Sequence, residues 1–293
     1  MSKNTIVITG GAGFVGTNLI KLFLKKTKYK IISIDDYSSG KKNNHLKNSR
    51  VKYIRGKTKN ISSIIKNVKE IKTVFHFGEF ARIFQSFLKM NDCIESNSVG
   101  SNAVFNFCLK NNLKLIYSAT SASLGNRGND KNLSPYAFTK SKNLELLENL
   151  KKWFKFKYEV IYFYNVYGPH QICKGQMSTV IGIFEDHYKR RKALPIVKPG
   201  TQTRRFTHID DTVNVCFLAW KKNLCKHYSI SNKKSYSLLD VAKMFNSKIK
   251  FLPKRPGERY ASAIIDKNLS NKIYKHFGRI NLKAYIKDFI KNN

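Results

Sequence analysis

The sequence predicts an α/β fold in which a doubly wound parallel sheet is followed by a smaller C-terminal unit. β-Branched strand patterns alternate with helical patterns from the N-terminus onward, and the first strand pattern runs into a glycine-rich turn. A chain of 293 residues with 42% hydrophobic content can bury a large core. We expect residues 1–163 to form the sheet-containing domain, with a helix and a strand near 207–231 returning to it. Residues 164–206 and 232–293 are expected to form the smaller domain.

Five predicted strands end by residue 118, at the spacing of parallel βαβ units. They are Thr5–Thr9, Lys30–Ile34, Val51–Arg55, Thr73–Gly78 and Leu113–Ser118. Helical patterns separate several of them, and the predicted helices include Ile61–Lys69 and Asp92–Asn111. A sixth strand is predicted at Tyr158–Phe163, and further helices begin at Val180 and Thr212. A doubly wound sheet of the Rossmann type is the economical way to bury these strands.

A glycine turn links the first predicted strand to the first helix. Gly10, Gly13 and Gly16 recur at intervals of three, and Gly11 completes the pattern G-x-G-x-x-G. Such a turn lets the backbone approach a pyrophosphate and lets the helix pack close to its strand. The helix opens with Phe14 and Val15, whose N–H groups point outward at the positive end of the helix dipole. We expect the backbone of Gly10, Gly13, Phe14, Val15 and Gly16 to bind the diphosphate of a dinucleotide.

Two acids end the second predicted strand. Asp35 and Asp36 lie about 20 residues beyond the glycine turn, where the ribose-binding acid of a dinucleotide site is expected. No arginine stands directly beside them. The sequence therefore predicts NAD rather than NADP as the cofactor.

The composition excludes several classes of protein. The net charge is +37, but the lysines are spread along the chain, which favours charged, solvated faces over a specific nucleic-acid site. No apolar stretch is long enough to span a membrane, so we expect a cytoplasmic protein without a membrane segment. The five cysteines lie far apart and predict reduced thiols, with neither a disulfide framework nor a metal site.

A hydroxyl-rich strand end and the next predicted helix carry the candidate chemistry. Thr120 follows the fifth strand, and Tyr136 and Lys140 are four residues apart on a helix that begins near Pro135 and runs to about Trp153. Ligands in such sheets bind beyond the carboxyl ends of the strands. A nearby ammonium stabilises a phenolate, so Tyr136 is the candidate general base.

These motifs together resemble the extended short-chain dehydrogenase/reductase superfamily, and within it the NAD-dependent nucleotide-sugar epimerases and dehydratases of the UDP-glucose 4-epimerase type. The resemblance covers nearly the whole chain. It is carried by Thr9 to Gly16, His76-Phe77, Asn97 with Gly100, Thr120, Tyr136 with Lys140, and Tyr164 to Pro169.

The resemblance implies a role for each matching residue. Tyr136 is then the general base, Lys140 binds the nicotinamide ribose and tunes Tyr136, Thr120 hydrogen-bonds the sugar, and Asn97 helps to hold NAD. The substrate is a nucleotide-diphosphate sugar. Its implied contacts are Asn165, Arg204 and Arg255, the last two through their guanidinium groups.

The reaction that the sequence favours is 4-epimerisation. The family's 4,6-dehydratases carry Asp-Glu directly after the catalytic threonine, whereas this chain has Ser121-Ala122. Another nucleotide-sugar oxidoreductase or dehydratase of the same fold remains an alternative, as does a non-enzymatic binding protein.

Four residues depart from the family pattern. Lys57, Glu79, Arg82 and Tyr162 differ from the usual residues, and Glu79 with Arg82 is either a pocket pair with its own chemistry or a structural pair. By analogy, we expect a homodimer formed through the helices at Asp92–Asn111 and Tyr136–Trp153.

Overall fold

The computed structural model describes residues 3–124, 131–258 and 271–293. Its main sheet has eight strands, and every neighbouring pair for which a register is defined is parallel. The strands of this sheet are β1 (Thr5–Thr9), β2 (Lys30–Asp35), β3 (Val51–Arg55), β4 (Ile71–His76), β5 (Lys114–Thr120), β6 (Tyr158–Phe163), β11 (His227–Ser231) and β14 (Ile273–Phe277). Outside this sheet, the described residues also form β7 (Val166–Tyr167), β8 (Leu194–Val197), β9 (Thr203–Arg205), β10 (Thr207–His208), β12 (Ser235–Ser237) and β13 (Ile249–Leu252).

Helices cover both faces of the main sheet, as the sequence predicts. In the described residues they are α1 (Phe14–Lys26), α2 (Ile61–Ile64), α3 (Ile83–Leu88), α4 (Met90–Ile94), α5 (Ser101–Lys110), α6 (Pro135–Phe154), α7 (Val180–Lys189), α8 (Ile209–Lys222), α9 (Leu238–Met244) and α10 (Leu282–Lys291). On one face Phe105 and Leu147 are fully buried, and on the other Leu19 and Val213 are buried. The prediction of a doubly wound α/β fold is confirmed.

The strand order in the main sheet is β14-β11-β6-β5-β4-β1-β2-β3, and it indicates where a ligand-binding crevice is expected. The chain winds outward from β1 through β2 to β3, and then crosses back to β4 on the other side of β1. In open sheets of this kind, ligands bind beyond the carboxyl ends of the strands at such a reversal. The glycine turn after β1 and the loop after β4 both lie there.

Three elements differ from the sequence-based expectations. The helix expected over Ile61–Lys69 ends at Ile64, because the weak helix formers Asn67 and Val68 follow. The long helix expected before β5 contains a π-helical segment, Glu95–Gly100, between α4 and α5. Such segments occur often at functional sites, and this one carries Asn97.

The third difference concerns the edge of the sheet. Ile273–Phe277, which the sequence assigned to the smaller domain, pairs with β11 as β14. Among the described strands, β14 is an edge strand that pairs with β11 alone, and its Tyr274 and Phe277 are exposed. Its residues therefore do not form the continuous apolar run that predicts a buried strand. β11 and α8 lie where the sequence expects the chain to return to the sheet.

The remaining strands form three two-stranded ribbons. β7 pairs with β10, β9 with β12, and β8 with β13. A separate core, which includes Phe184, Phe245 and Ile286, joins the ribbons to α7, α9 and α10. We call this part the ribbon unit. Within the described residues, no helix is long and apolar enough to cross a membrane.

Candidate active site

A cavity of about 770 Å³ lies between the carboxyl ends of the sheet strands and the ribbon unit. It extends from the glycine turn and Asp35 past Tyr136 to Arg204. A volume of this size suits a small-molecule site of the ordinary kind.

The glycine turn has the geometry that its sequence predicts. Gly10 has a φ of 70°, which favours glycine. A Cβ on Gly16 would lie 2.2 Å from the carbonyl oxygen of Gly10, so only glycine fits there. α1 begins at Phe14 without a side-chain cap, and the first N–H groups of a helix have no intrahelical partner. Since Gly13 to Gly16 line the cavity, this helix end is available to a diphosphate.

Two carboxylates lie beside the glycine turn. Asp35 accepts hydrogen bonds from the N–H groups of Ala12 and Tyr37, each at 2.9 Å. Burial raises the pKa of Asp35, although these two bonds oppose the shift. Asp36 accepts from the Ser38 hydroxyl at 2.6 Å, and both acids line the cavity. A helix N-terminus followed by a fixed carboxylate fits the diphosphate and ribose of NAD.

Tyr136 and Thr120 meet at the middle of the cavity. Ser134 caps the N-terminus of α6 and Pro135 occupies its first turn, so that Tyr136 faces the end of β5. Burial raises the pKa of Tyr136 to about 12, and the hydrogen bond to Thr120 lowers it. Among the nearby charges, Glu79 raises this pKa and Arg82 lowers it. The phenol therefore lies in an environment in which added positive charge is needed for it to act as a base near neutral pH.

Lys140 is held by the protein one helical turn after Tyr136. Its side chain is 4% exposed and its Nζ donates to the carbonyl oxygen of Ser118 at 2.6 Å. It also forms an ion pair with Glu79 and lies 4.7 Å from the centre of the Tyr117 ring. Burial lowers the pKa of Lys140, whereas Glu79 raises it. The ion pair thus stabilises a buried ammonium beside the cavity.

Glu79 is the main functional candidate to which sequence reasoning gave no role. Its side chain is 2% exposed, and Oε1 accepts from Ser101 at 2.7 Å, Tyr117 at 3.0 Å and Asn143 at 3.2 Å. The partner of Glu79 is Lys140 rather than Arg82, so the two loop residues do not form a pair with each other. A carboxylate three residues after His76 was visible in the sequence, but its partner 61 residues away was not.

A buried histidine extends this hydrogen-bonded cluster. His76 Nε2 lies 2.9 Å from the Ser101 hydroxyl, and Nδ1 lies 2.7 Å from the Thr9 hydroxyl. Because Ser101 donates its proton to Glu79, His76 Nε2 is the donor to Ser101. Burial lowers the pKa of His76 to about 4, so the ring is neutral at neutral pH.

Asn97 does not lie at the cavity wall. Its side chain is fully buried, and it accepts from the Phe80 N–H at 2.7 Å and donates to the Phe80 carbonyl oxygen at 3.0 Å. It also donates to the Thr139 hydroxyl at 3.2 Å. Since its polar atoms bond within the protein, Asn97 supports the loop after β4 and α6, and its predicted part in holding NAD stays a prediction.

Arg82 joins the loop after β4 to the ribbon unit. Its Nε and Nη2 donate to the Met177 carbonyl oxygen at 2.9 and 2.5 Å, and Nη1 donates to the Ala81 carbonyl oxygen at 2.7 Å. Arg82 and Tyr136 both line the cavity. This contact could not be predicted from the sequence, because Arg82 and Met177 are 95 residues apart.

The ribbon unit brings two of its three predicted substrate residues to the cavity. Arg204 lines it and donates from Nη2 to Glu258 at 2.7 Å, and Asn165 lines it with a φ of 34°. Asn165 also donates to the Arg205 carbonyl oxygen at 3.0 Å. Arg255 lies with its guanidinium 5.0 Å from the centre of the Phe84 ring and is not part of the cavity wall.

The other positively charged departure, Lys57, has an acidic partner. Its Nζ lies 3.1 Å from Glu95, which Lys59 also contacts at 2.6 Å. All three residues line the cavity, so an acid reaches this wall from the π-helical segment. In the described ranges, no three His, Cys, Asp or Glu side chains are arranged to hold a metal ion.

Comparisons with known proteins agree with this architecture. Residues 6–231 match the model of the NAD dependent epimerase/dehydratase family. A putative UDP-glucose 4-epimerase of Methanocaldococcus jannaschii is 25% identical, over 98% of this chain and 99% of that protein. A dTDP-D-glucose 4,6-dehydratase of Dictyostelium discoideum is 29% identical, over 81% of this chain and 60% of that protein. A UDP-glucuronic acid 4-epimerase of Bacillus cereus, solved with UDP-glucuronic acid and NAD, is 26% identical, with a TM-score of 0.84 over 98% of this chain and 99% of that one.

The fold and the cavity define an α/β protein with a dinucleotide site next to a Tyr-Lys pair. The chain belongs to the NAD dependent epimerase/dehydratase family, whose members include nucleotide-sugar enzymes such as those above. The predictions of this family and of NAD as its cofactor are confirmed.

Proposed function

We propose that the protein is an NAD-dependent nucleotide-sugar 4-epimerase. The observation that carries the proposal is the wall around Tyr136. Thr120, Ser121 and Ala122 line the cavity there without a carboxylate, and the nearby Glu79 carboxylate is paired with Lys140. A 4,6-dehydratase needs an acid and a base to remove water from the sugar. The site is equipped to move one proton at a sugar hydroxyl, which is what 4-epimerisation requires.

The proposed chemistry begins with Tyr136 as the general base. The phenolate takes the proton from the C4 hydroxyl while Thr120 hydrogen-bonds the same oxygen, and Lys140 stabilises the site. The glycine turn and Asp35 would hold NAD, which would supply a reversible hydride acceptor for C4 when bound. The sugar turns over as a 4-keto compound, and Tyr136 gives the proton back. No atom is gained or lost in the complete cycle.

Recognition of the substrate is assigned to the ribbon unit. Arg204 is the candidate ligand for the diphosphate, because a guanidinium can donate two parallel hydrogen bonds to such an anion. Its present partner is the Glu258 carboxylate, another oxyanion. Asn165 is the second candidate contact. The similarity to UDP-sugar epimerases supports a UDP-linked sugar as the first class to test.

Proton NMR of the purified protein tests the proposal without added cofactor. UDP-glucose, UDP-N-acetylglucosamine, UDP-glucuronic acid, and dTDP- and GDP-linked hexoses are incubated separately. We expect one of them to convert to its C4 epimer and to reach the same ratio from either side. Release of water with formation of a 4-keto-6-deoxy sugar would favour the dehydratase alternative, and NADH formed only with added NAD would favour a net oxidoreductase.

We also propose that the protein forms a homodimer through the helices that precede β5 and β6. Apolar side chains on this surface are exposed in the single chain, and they include Ile94, Val99, Phe138 and Trp153. Exposed large apolar side chains on helices that contact each other are typical of an interaction surface. Light scattering is expected to give twice the chain mass of 33.8 kDa, and V99K together with F138K is expected to give a monomer. A monomeric parent protein would contradict the proposal.

A further inference from the structure

The loop after β4 places two opposite charges beside the proposed catalytic pair. Glu79 is buried against Lys140, and Arg82 lines the cavity with Tyr136. Both residues come from the six-residue loop between His76 and Ile83. Neither has a role in the mechanism above, although a buried carboxylate is costly unless its partners compensate for the lost water.

Hydrogen bonds and one ion pair replace the water that the Glu79 carboxylate loses on burial. Oε1 accepts from Ser101, Tyr117 and Asn143, and Oε2 pairs with Lys140. Lys140 uses two of its three N–H groups, one on Glu79 and one on the Ser118 carbonyl oxygen. Its ammonium is thus fixed before any ligand binds, with one N–H left for the cavity.

The same ion pair changes the charge that Tyr136 experiences. A positive and a negative charge in contact act on a third group as a dipole, whose effect declines faster with distance than that of a single charge. Lys140 paired with Glu79 is therefore a weaker source of positive potential than an unpaired lysine. With Arg82 included, the three residues carry one net positive charge, which equals that of a lone lysine.

The groups that face Tyr136 can be stated for each neighbouring element. Glu79 and Arg82 act on it from the loop after β4, Cys93 from α4 and Tyr117 from β5, and Lys140 lies one turn further along its own helix. Burial raises the pKa of Cys93 to about 11 and keeps Tyr117 protonated as well, so both are neutral near pH 7. The charges that matter are then those of Glu79, Arg82 and Lys140.

We propose that Glu79 and Arg82 are positioning residues for the Tyr136–Lys140 pair. Glu79 holds Lys140 and neutralises its charge, and Arg82 supplies the net positive charge beside Tyr136. This inference rests on the proposed function, in which Tyr136 is the general base. Arg82 is kept in place by Met177, so the charge beside Tyr136 depends on a contact with the ribbon unit.

The test is a titration of Tyr136 that does not require turnover. The NAD-loaded protein is labelled with tyrosine carrying ¹³C at Cζ, and Tyr136→Phe identifies the Tyr136 signal. Glu79→Gln is expected to lower the pKa of Tyr136, and Arg82→Gln to raise it, each by about one pH unit. In the double variant, which combines Glu79→Gln with Arg82→Gln, the pKa of Tyr136 is expected to return close to its value in the parent protein. Glu145→Gln and Arg190→Gln, which remove charges from exposed surface pairs, serve as controls.

A conservative variant separates charge from structure. Arg82→Lys keeps the positive charge but loses the paired hydrogen bonds to Met177, and it is expected to leave the pKa of Tyr136 near the parent value. An unchanged titration in Arg82→Gln, or a raised pKa in Glu79→Gln, would overturn the proposal. Since Glu79→Gln leaves Lys140 buried without its carboxylate, the two Arg82 variants carry the test if that chain does not fold.

Turnover measurements then distinguish this inference from the proposed function. In the Glu79 and Arg82 variants, the pH dependence of kcat is expected to shift from that of the parent enzyme in the same direction as the pKa of Tyr136. The change in KM is expected to be smaller. If no nucleotide sugar is converted but the titration shifts as described, the proposed function fails and the charge arrangement stands. If a sugar is epimerised and the pKa of Tyr136 does not shift in the variants, the proposed role of Glu79 and Arg82 fails and the proposed function stands.

Discussion

The two walls of the cavity are built in different ways. The sheet wall carries Tyr136 and Lys140 on a regular helix, 9% and 3% exposed, and the side chain of Glu79, the partner of Lys140, is 2% exposed. The ribbon wall carries Arg204 and Glu258 outside the main sheet, with side chains that are 18% and 22% exposed. Proton transfer needs groups fixed to within a fraction of an ångström, whereas binding of a diphosphate tolerates exchange of one anionic partner for another. We therefore assign chemistry to the sheet wall and substrate recognition to the ribbon wall.

The largest expected effect comes from removing the base on the sheet wall. Tyr136→Phe should retain NAD and bind substrate, because the hydroxyl alone is lost, but kcat should fall at least about 100-fold. Absorbance of the bound cofactor and the NMR assay measure the two properties separately. Tyr274→Phe, which changes an exposed tyrosine on β14, is the matched control. Near-normal turnover in Tyr136→Phe would remove this residue from its assigned role.

A smaller and different effect is expected on the ribbon wall. Arg204→Gln should raise KM for the nucleotide sugar about tenfold with little change in bound NAD, because the charge-assisted hydrogen bonds of the guanidinium to the diphosphate are lost. Arg190→Gln on the surface controls for loss of charge. Arg255→Gln should raise KM less, since Arg255 stacks on Phe84. An equal rise in both variants would favour the sequence-based assignment of Arg255 to the phosphate site.

The smallest effect is on stability. It concerns the hydrogen-bonded cluster of His76, Ser101 and Glu79, which lies behind the sheet wall. The folded-state pKa of His76 is about 4, below its ordinary value of 6.5, so the unfolded chain binds more protons between these values. Stability from this residue is present above pH 6.5 and is lost as the pH falls. Between pH 7 and 5.5 the free energy of unfolding should drop by about 1 kcal/mol through His76.

Chemical denaturation at the two pH values measures this drop. His76→Gln should reduce the dependence on pH by that amount. His227, whose pKa burial also lowers to about 4, titrates in both proteins and cancels from the difference. An identical pH dependence in His76→Gln and the parent protein would show that His76 does not contribute in this way.

The sheet wall could be predicted from the sequence where its signals are local. The glycine turn, Asp35, and the spacing of Tyr136 and Lys140 each occupy a few neighbouring residues, and the spacing determines their geometry. The partnerships that depend on distant residues could not be predicted. Glu79 meets Lys140, Arg82 meets Met177, and Asn97 turns toward Phe80 only after the chain has folded.

The ribbon wall was less predictable for a physical reason. Its strands are two to four residues long, which is too short to give a periodic hydrophobic pattern. The family motif located Arg204 and Asn165 at the cavity, but the same reasoning placed Arg255 there too. Side-chain direction in short loops depends on local contacts such as the Phe84 ring, and a motif does not encode them.

The proposed reaction can be tested most directly by following the C4 hydrogen of the substrate. The nucleotide sugar that the enzyme converts is incubated in D₂O and examined by proton NMR. We predict that the C4 epimer forms with its original C4 hydrogen and without deuterium from the solvent at carbon, because the same hydride is removed and returned. Deuterium at C5 or C6 with loss of water, or an epimer inverted at another carbon, would contradict 4-epimerisation.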